Sequence, residues 1–346
     1  MTHTPGLSPA EEAAFARAEE ASLSALGGVW PNPAVGAVIL DAAGHVVGVG
    51  ATQPPGGPHA EVVALTHAGE RARGGTAVVT LEPCNHTGRT GPCAQALLAA
   101  GIRRVVIGQP DPTRTAGGGA ETLRAHGVQV LTIGRTAAAL EPWLHRQATG
   151  RPWVTWKVAH TLDGFIAAAD GTSQWITGPT ARAAGHADRA RRDAILVGTG
   201  TVLADNPRLS ARTPSGALAA HQPEPIVVGT RPIPPHFHLA GVARQFSTLA
   251  SAMDYLVDAG HTNVLVEGGA GLARSALAAG IVCDIHAYVA PKILGAGTPM
   301  IAGMVSPTLS QAQQFEIVDI TPLGEDVRLV ARAVSAPEAA VRPPAG

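Results

Sequence analysis

Apolar and polar positions along the chain fall into two successive patterns of strand and helix. Ser8-Pro9-Ala10-Glu11 has the form of a capped helix start, with Ser8 as cap, Pro9 in the first turn and Glu11 reaching back. It predicts a helix to about Leu26, stopped by Gly27-Gly28. Two apolar runs, Val35 to Leu40 and Val46 to Ala51, flank a turn at Asp41 to Gly44 and predict an antiparallel hairpin. A helix from His59 to about Glu70, a strand over Thr76 to Leu81, a helix from Cys93 to Ala100 and a strand over Arg104 to Gly108 complete an α/β layer.

Arg146 to Pro152, RQATGRP, lacks an apolar period and carries Gly and Pro, which marks a domain boundary. Residues 1–147 and 150–335 are expected to form two domains, and the Pro/Ala-rich tail 336–346 to be disordered. In the second domain the short strand candidates are Trp153 to Ala159, Ala194 to Val197, Pro225 to Val228, Val264 to Val266, 284–290 and 327–333. Helices are predicted at about 179–191 and 270–279.

Composition supports two cores rather than one, since 346 residues exceed what a single hydrophobic core usually serves. With 25 basic against 26 acidic residues there is no charge excess to attract nucleic acid or an anionic membrane, so the expected partner is a small molecule. No run is apolar enough to span a bilayer and the first residues lack the pattern of a secretory signal, so a cytoplasmic location is expected. Composition leaves open whether the chain forms a homo-oligomer. Three cysteines are too few for a disulfide framework and are read as ligands, nucleophiles or filler; Cys283, alone in an apolar strand, is read as packing.

The chemistry gathers in Pro58-His59-Ala60-Glu61, Leu81-Glu82-Pro83-Cys84 and, after eight intervening residues, Cys93. One imidazole and two thiolates make a three-ligand zinc set with a fourth position left to water, as a catalytic zinc needs. Cys93 falls at a predicted helix start, where the backbone favours thiolate. Glu61, on the first helical turn beside His59, is the expected general acid/base, matching H-x-E…P-C-x-x-C in all but the last spacing. The competing reading treats the metal as structural, in a nucleotide-binding protein.

The departure in spacing carries a resemblance. LEPCNHTGRTGPC and Pro31-Asn32-Pro33-Ala34-Val35-Gly36 resemble the bifunctional riboflavin-biosynthesis deaminase/reductase family. That resemblance continues through Lys157 to Gly164, Ser173 to Thr177, Gly198 to Pro207 and Val266 to Gly269. It implies a cytidine-deaminase-like three-layer α/β/α domain followed by a dihydrofolate-reductase-like α/β domain. The implied cofactors are Zn2+ and NADPH. The implied substrate is a pyrimidine ribonucleotide, 2,5-diamino-6-ribosylamino-4(3H)-pyrimidinone 5′-phosphate, deaminated at C2 and then reduced from ribosyl to ribityl. Carried over residue by residue, Asn32, His86, Arg89 and Thr90 touch substrate in the first domain, and Ser173, Arg189, Leu209, Arg212 and Glu267 in the second. NADPH is implied to lie against Ala159, Trp175, Thr201, Asp205, Thr230, Gly269, Ala270, Gly271, Leu272, Ala273, Arg274 and Ser275.

Arg189 and Arg212 also make sense as a clamp on the 5′-phosphate, because guanidinium offers paired donors. The glycine-rich turn from Glu267 to Gly271 reads as a phosphate cradle, although its spacing is not the Rossmann fingerprint. Four departures stand against the family pattern: Asp111-Pro-Thr-Arg114 in place of DPNP, His160 for a small residue, Phe165 for a basic one, and a short stretch from Arg231 to Ser251. The first bears on the entrance loop of the deaminase pocket, and the other three keep alive the alternative of a deaminase whose second domain has lost its reductase activity.

Overall fold

A computed structural model of the chain describes residues 6–86 and 91–334. It divides into two compact units, Met1–Arg151 and Pro152–Gly346. The expected disordered tail at 336–346 lies outside the described residues.

In the first unit, strands β1 (Gly36–Leu40), β2 (Val46–Ala51), β3 (Thr76–Leu81), β4 (Arg104–Gln109) and β5 (Gln129–Thr132) form one sheet in the order β2-β1-β3-β4-β5. Its helices are α1 (Pro9–Leu23), α2 (Ala60–Ala68), α3 (Cys93–Ala99), α4 (Gly119–Ala125) and α5 (Glu141–Thr149). The hairpin turn between β1 and β2 is fixed by Asp41, whose Oδ1 accepts from Ala43 N and His45 N at 2.9 Å each. Side chains alternate along β1: Val38 and Leu40 pack with Phe15 and Ala18 of α1, while Ala37 and Ile39 pack with Ala60 and Ala64 of α2. The sheet is thus buried on both faces, a three-layer α/β/α arrangement.

Helix α2 lies unusually close to the sheet. Its inward stripe is Ala60, Ala64 and Ala68, and β2 meets it with glycines: a methyl group at Gly48 would stand 2.1 Å from Ala64 O, and one at Gly50 2.3 Å from Ala60 O. Small residues on both surfaces therefore set the height at which the first turn of α2 sits, and that turn carries His59 and Glu61.

The second unit is built on β6 (Trp153–Thr161), β7 (Phe165–Ala168), β8 (Ala194–Gly198), β9 (Glu224–Val228), β10 (Arg244–Phe246), β11 (Asn263–Glu267), β12 (Val282–Ala290), β13 (Gly297–Pro299), β14 (Phe315–Leu323) and β15 (Asp326–Ala333). Eight of these strands form one sheet in the order β10-β9-β8-β11-β6-β12-β15-β14. From β10 to β12 neighbours run parallel, and β15 and β14 add antiparallel to the far edge. Helices α6 (Pro179–Arg189), α7 (Thr199–Asp205), α8 (Leu249–Asp258) and α9 (Ala270–Ala278) complete the unit. The central strands β8 and β11 are apolar runs buried along nearly their whole length, as parallel strands covered on both sides must be. Cys283 is buried in β12, and burial pushes its thiol up to about 12, which suits packing rather than reaction.

Two expectations about elements are corrected, and a third stretch holds elements where none is expected. Helix α1 ends at Leu23, because Ser24 turns its hydroxyl and N–H back onto Ala21 O at 2.6 and 3.1 Å before the glycines are reached. Arg146 to Thr149, expected to be linker, is the last turn of α5, closed by Gly150 at φ 72. The stretch between 231 and 262 holds β10 and α8, the latter started by a Thr248/Ser251 capping box. Among the described residues no helix is long and apolar enough to cross a membrane.

Candidate functional site

Three donors converge in the first unit where β3 ends and two helices begin. His59 is the N-cap of α2, Cys84 follows the end of β3 by three residues, and Cys93 opens α3. His59 Nδ1 stands 3.5 Å from Cys84 Sγ and 3.3 Å from Cys93 Sγ, and the three ligand atoms lie within 4.8 Å of one another. Tetrahedral zinc with ordinary bond lengths sets nitrogen and sulfur roughly 3.6 Å apart. The trio therefore fits zinc by donor type and by spacing.

Protonation tells the same story. Hydrogen bonds from the Cys93 thiol, the His59 ring and the Cys93 N–H hold the Cys84 thiol down at about 4, while Cys93, facing that sulfur and buried, is pushed well above the thiol range. The hydrogen bond to Cys84 also raises His59. At the helix start the Cys93 N–H lies 3.4 Å from Cys84 Sγ and donates to it. Two thiolates at once need a cation between them, and a divalent ion supplies it.

Glu61, in the first turn of α2, is only 4% exposed and is not a member of the donor trio. Burial pushes its carboxyl up to about 7, close to the value at which a group can both take and give a proton near neutrality. Asn32 lies half-buried in the turn before β1, its N–H on Val29 O at 2.9 Å, and His86 is exposed beyond Cys84. Arg89 and Thr90 lie outside the described residues.

In the second unit the C-terminal ends of the parallel strands open into a cavity of about 1230 Å³, where such sheets bind ligands. Ala159, Trp175, Thr201, Asp205, Gly269, Ala270, Gly271, Leu272 and Ser275 line it, as do Ser173, Arg189, Leu209, Arg212 and Glu267. Thr230, Ala273 and Arg274 do not. The turn into α9 places Gly268 and Gly269 at φ 76 and 82, backbone that side chains with a Cβ resist. Leu209 adopts φ 52 with its side chain buried against Val202 and Leu239, so a bulky residue is held in the left-handed region at the cavity wall.

Glu267 is the electrostatic centre of the cavity. Its Oε1 accepts from Lys157 Nζ at 3.0 Å and Arg189 Nη2 at 2.7 Å, and its Oε2 from Arg189 Nε at 2.8 Å. Burial pushes the carboxyl up, but Arg189 and Lys157 outweigh it and hold Glu267 well below the usual carboxylate range. The phosphate clamp expected of Arg189 is therefore corrected in part: its fork is spent on Glu267 and a further N–H on Ser210 O at 3.2 Å, which leaves two of its five donors. Nothing in the sequence around Lys157 marks its role; only the pairing of β6 with β11 in register, Lys157 opposite Glu267, reveals it. At the rim, Arg182 lies over the Trp175 ring at 4.4 Å, and Ser173 Oγ donates to Asp205 at 3.4 Å.

Residues 9–109 match the cytidine and deoxycytidylate deaminase zinc-binding region, and residues 152–329 match the RibD C-terminal domain. The riboflavin biosynthesis protein RibD of Corynebacterium ammoniagenes is 47% identical over 324 residues, covering 90% of this chain and 96% of that protein. Its counterpart in Mycobacterium tuberculosis is 45% identical over 323 residues, covering 91% and 95%. Among solved structures, Acinetobacter baumannii RibD (form 1) superposes with TM-score 0.83 at 34% identity, covering 94% of this chain and 99% of that one. A diaminohydroxyphosphoribosylaminopyrimidine deaminase/5-amino-6-(5-phosphoribosylamino)uracil reductase from Thermotoga maritima gives TM-score 0.83 at 31% identity with coverage of 94% and 99%.

Proposed function

The chain belongs to the bifunctional riboflavin-biosynthesis family, a zinc-dependent deaminase fused to an NADPH-dependent reductase, and on that premise we propose which residues perform each reaction and on what substrate. The first unit deaminates 2,5-diamino-6-ribosylamino-4(3H)-pyrimidinone 5′-phosphate at C2, with His59, Cys84 and Cys93 holding the metal. Zinc at that trio supplies the Lewis acidity that makes water a nucleophile near neutral pH. Glu61 accepts a proton from the attacking water and returns protons to the ring nitrogen and to the departing ammonia. Asn32 hydrogen-bonds the pyrimidine edge, and His86, Arg89 and Thr90 are its further contacts.

The second unit reduces the deaminated product: with the sugar opened to a C1′ imine, NADPH would supply the hydride to C1′ while a proton from water goes to the imine nitrogen. Glu267, fixed by Lys157 and Arg189, presents a carboxylate that cannot pick up a proton at neutral pH and so accepts from sugar hydroxyls. Arg212 and the remaining N–H groups of Arg189 take the 5′-phosphate, while the turn at Gly268 and Gly269 and the start of α9 cradle the cofactor's phosphates.

The observation that carries the deaminase reading is the spacing of the two sulfurs about His59 Nδ1, 3.3 and 3.5 Å, with a buried carboxyl on the same helical turn. Its test is to give purified protein the diaminopyrimidinone phosphate and follow ammonia release with and without NADPH. Ammonia in both cases and NADPH oxidation in the second support both halves. Ammonia without NADPH oxidation leaves a deaminase beside an inert domain, and no ammonia overturns the proposal.

A further inference from the structure

Strands β3 and β4 run parallel with Leu81 opposite Gln109, and Glu82 N extends the ladder by donating to Gln109 O at 2.9 Å. The segments that follow them, Glu82 to Asn85 with the metal ligand Cys84 and the loop 110–118, therefore leave the sheet side by side, at the end where parallel α/β sheets bind ligands. Glu82 stands outside the donor trio, and neither the metal nor the proton transfers make use of it.

Its carboxylate is spent on the neighbouring loop. Oε2 accepts from Asp111 N at 3.1 Å, and Oε1 from Gly118 N at 3.1 Å and Ala120 N at 2.9 Å. Three main-chain donors, drawn from both ends of one loop, thus converge on a single anionic side chain, and hydrogen bonds to an ionised acceptor are roughly twice as strong as neutral ones. Within the loop, Asp111 Oδ1 accepts from Thr113 N at 2.8 Å and Thr113 Oγ1 at 2.6 Å, and Gly117 N donates to Thr113 O at 3.1 Å. The loop is tied to itself, so its place relative to the metal site depends on its few outside attachments.

Those attachments bracket a metal ligand. Glu82 holds both ends of the loop from one side of Cys84, and on the other side Asn85 N donates to Ala116 O at 2.9 Å. Between them backbone meets backbone: a methyl group on Gly119 would stand 1.8 Å from Pro83 O, so the end of the loop rests on the residue before Cys84. The loop is a wall beside the metal site, and releasing its ends shifts that wall without removing a ligand atom. We propose that Glu82 is a positioning residue of the deaminase, whose carboxylate fixes the 110–118 loop at the height at which the pyrimidine is gripped next to Cys84. The proposal rests on the deaminase reading above.

Steady-state ammonia release by the full-length chain over a range of diaminopyrimidinone phosphate tests this, with zinc content and amide hydrogen exchange measured on the same samples. Glu82→Ala removes all three acceptor contacts, whereas Glu82→Gln turns one of the two acceptor oxygens into a donor and keeps the other. In Glu82→Ala KM is expected to rise about ten- to hundredfold with kcat within about threefold of the unaltered protein and zinc retained, and Glu82→Gln to fall between. The amides of Asp111, Gly118 and Ala120 are expected to exchange at least about tenfold faster in Glu82→Ala. Faster exchange at unchanged KM confines Glu82 to the stability of the loop and overturns the proposal, as does a loss of kcat at unchanged KM. Loss of zinc or of solubility in both variants makes Glu82 a support of the metal segment or of the fold, and overturns it too. Unaltered protein that releases no ammonia overturns the deaminase reading, and this role with it.

Discussion

Arg189 meets Glu267 fork to fork, Nε on Oε2 at 2.8 Å and Nη2 on Oε1 at 2.7 Å, with Lys157 on the same Oε1 at 3.0 Å. Two cations share one buried carboxylate, so removing its charge strands both. Glu267→Gln is expected to destabilise the second unit by about 3–5 kcal/mol, read as a shift in its urea midpoint. A loss below about 1 kcal/mol shows that the cluster is solvated and not a buried tie.

Acid should act on this unit through the same group and through Asp188. Asp188 is pushed up by burial but held well below the usual carboxylate range by Arg192 and His286, as Glu267 is by Arg189 and Lys157. Both pKa values are lower folded than unfolded, where Asp and Glu titrate at about 3.9 and 4.3. Their contribution is therefore whole above about pH 5 and drains away as pH falls further. Thermal melting between pH 7 and pH 3 is expected to be flat in the upper part of the range and to drop steeply below about pH 5; a steep loss already between pH 7 and 6 assigns acid sensitivity to histidines instead.

Glu61→Gln keeps the size of the side chain and removes the base. Ammonia release is expected to fall by about 10²–10⁴-fold with zinc content, measured by elemental analysis, unchanged. Loss of zinc together with activity moves Glu61 into the ligand set.

Stripping the metal should divide the two activities. After chelation, ammonia release from the diaminopyrimidinone phosphate is expected to vanish and return on adding zinc, while NADPH oxidation with the deaminated substrate persists, because the donor trio and the reductase cavity belong to separate units. Loss of both activities on chelation contradicts this.

Gly50→Ala tests the support under the metal site. The added methyl group would stand 2.3 Å from Ala60 O, so α2 must lift away from β2 and carry His59 and Glu61 with it. The expected cost is about 1–3 kcal/mol together with weaker zinc retention against a chelator. Retained zinc affinity shows that the helix start is held from elsewhere.

The metal site was readable in the chain because its parts are local: a histidine at a helix cap, a cysteine just past a strand, a cysteine opening a helix, each at a junction that apolar periodicity marks. The Lys157–Glu267–Arg189 tie was not, since its members stand 110 and 78 positions apart and meet only through sheet order and α6. Helix α8 went unseen although LASAMDYLVD is amphipathic and capped, because family length set the expectation there in place of periodicity. β14 escaped for another reason: from Glu316 to Ile320 its residues are exposed on both faces, so no alternation marks it. Nor does spacing show that the Cys93 N–H faces the Cys84 sulfur, a contact that only the folded chain makes.

One peptide bond joins Arg151 to Pro152, so the two units are made in equal numbers by every ribosome that finishes the chain. A cell cannot adjust their ratio by transcription, translation or decay of one alone. Any imbalance between the aminohydrolase and the reductant-consuming step must then be corrected in the turnover numbers themselves, which places selection on the slower unit.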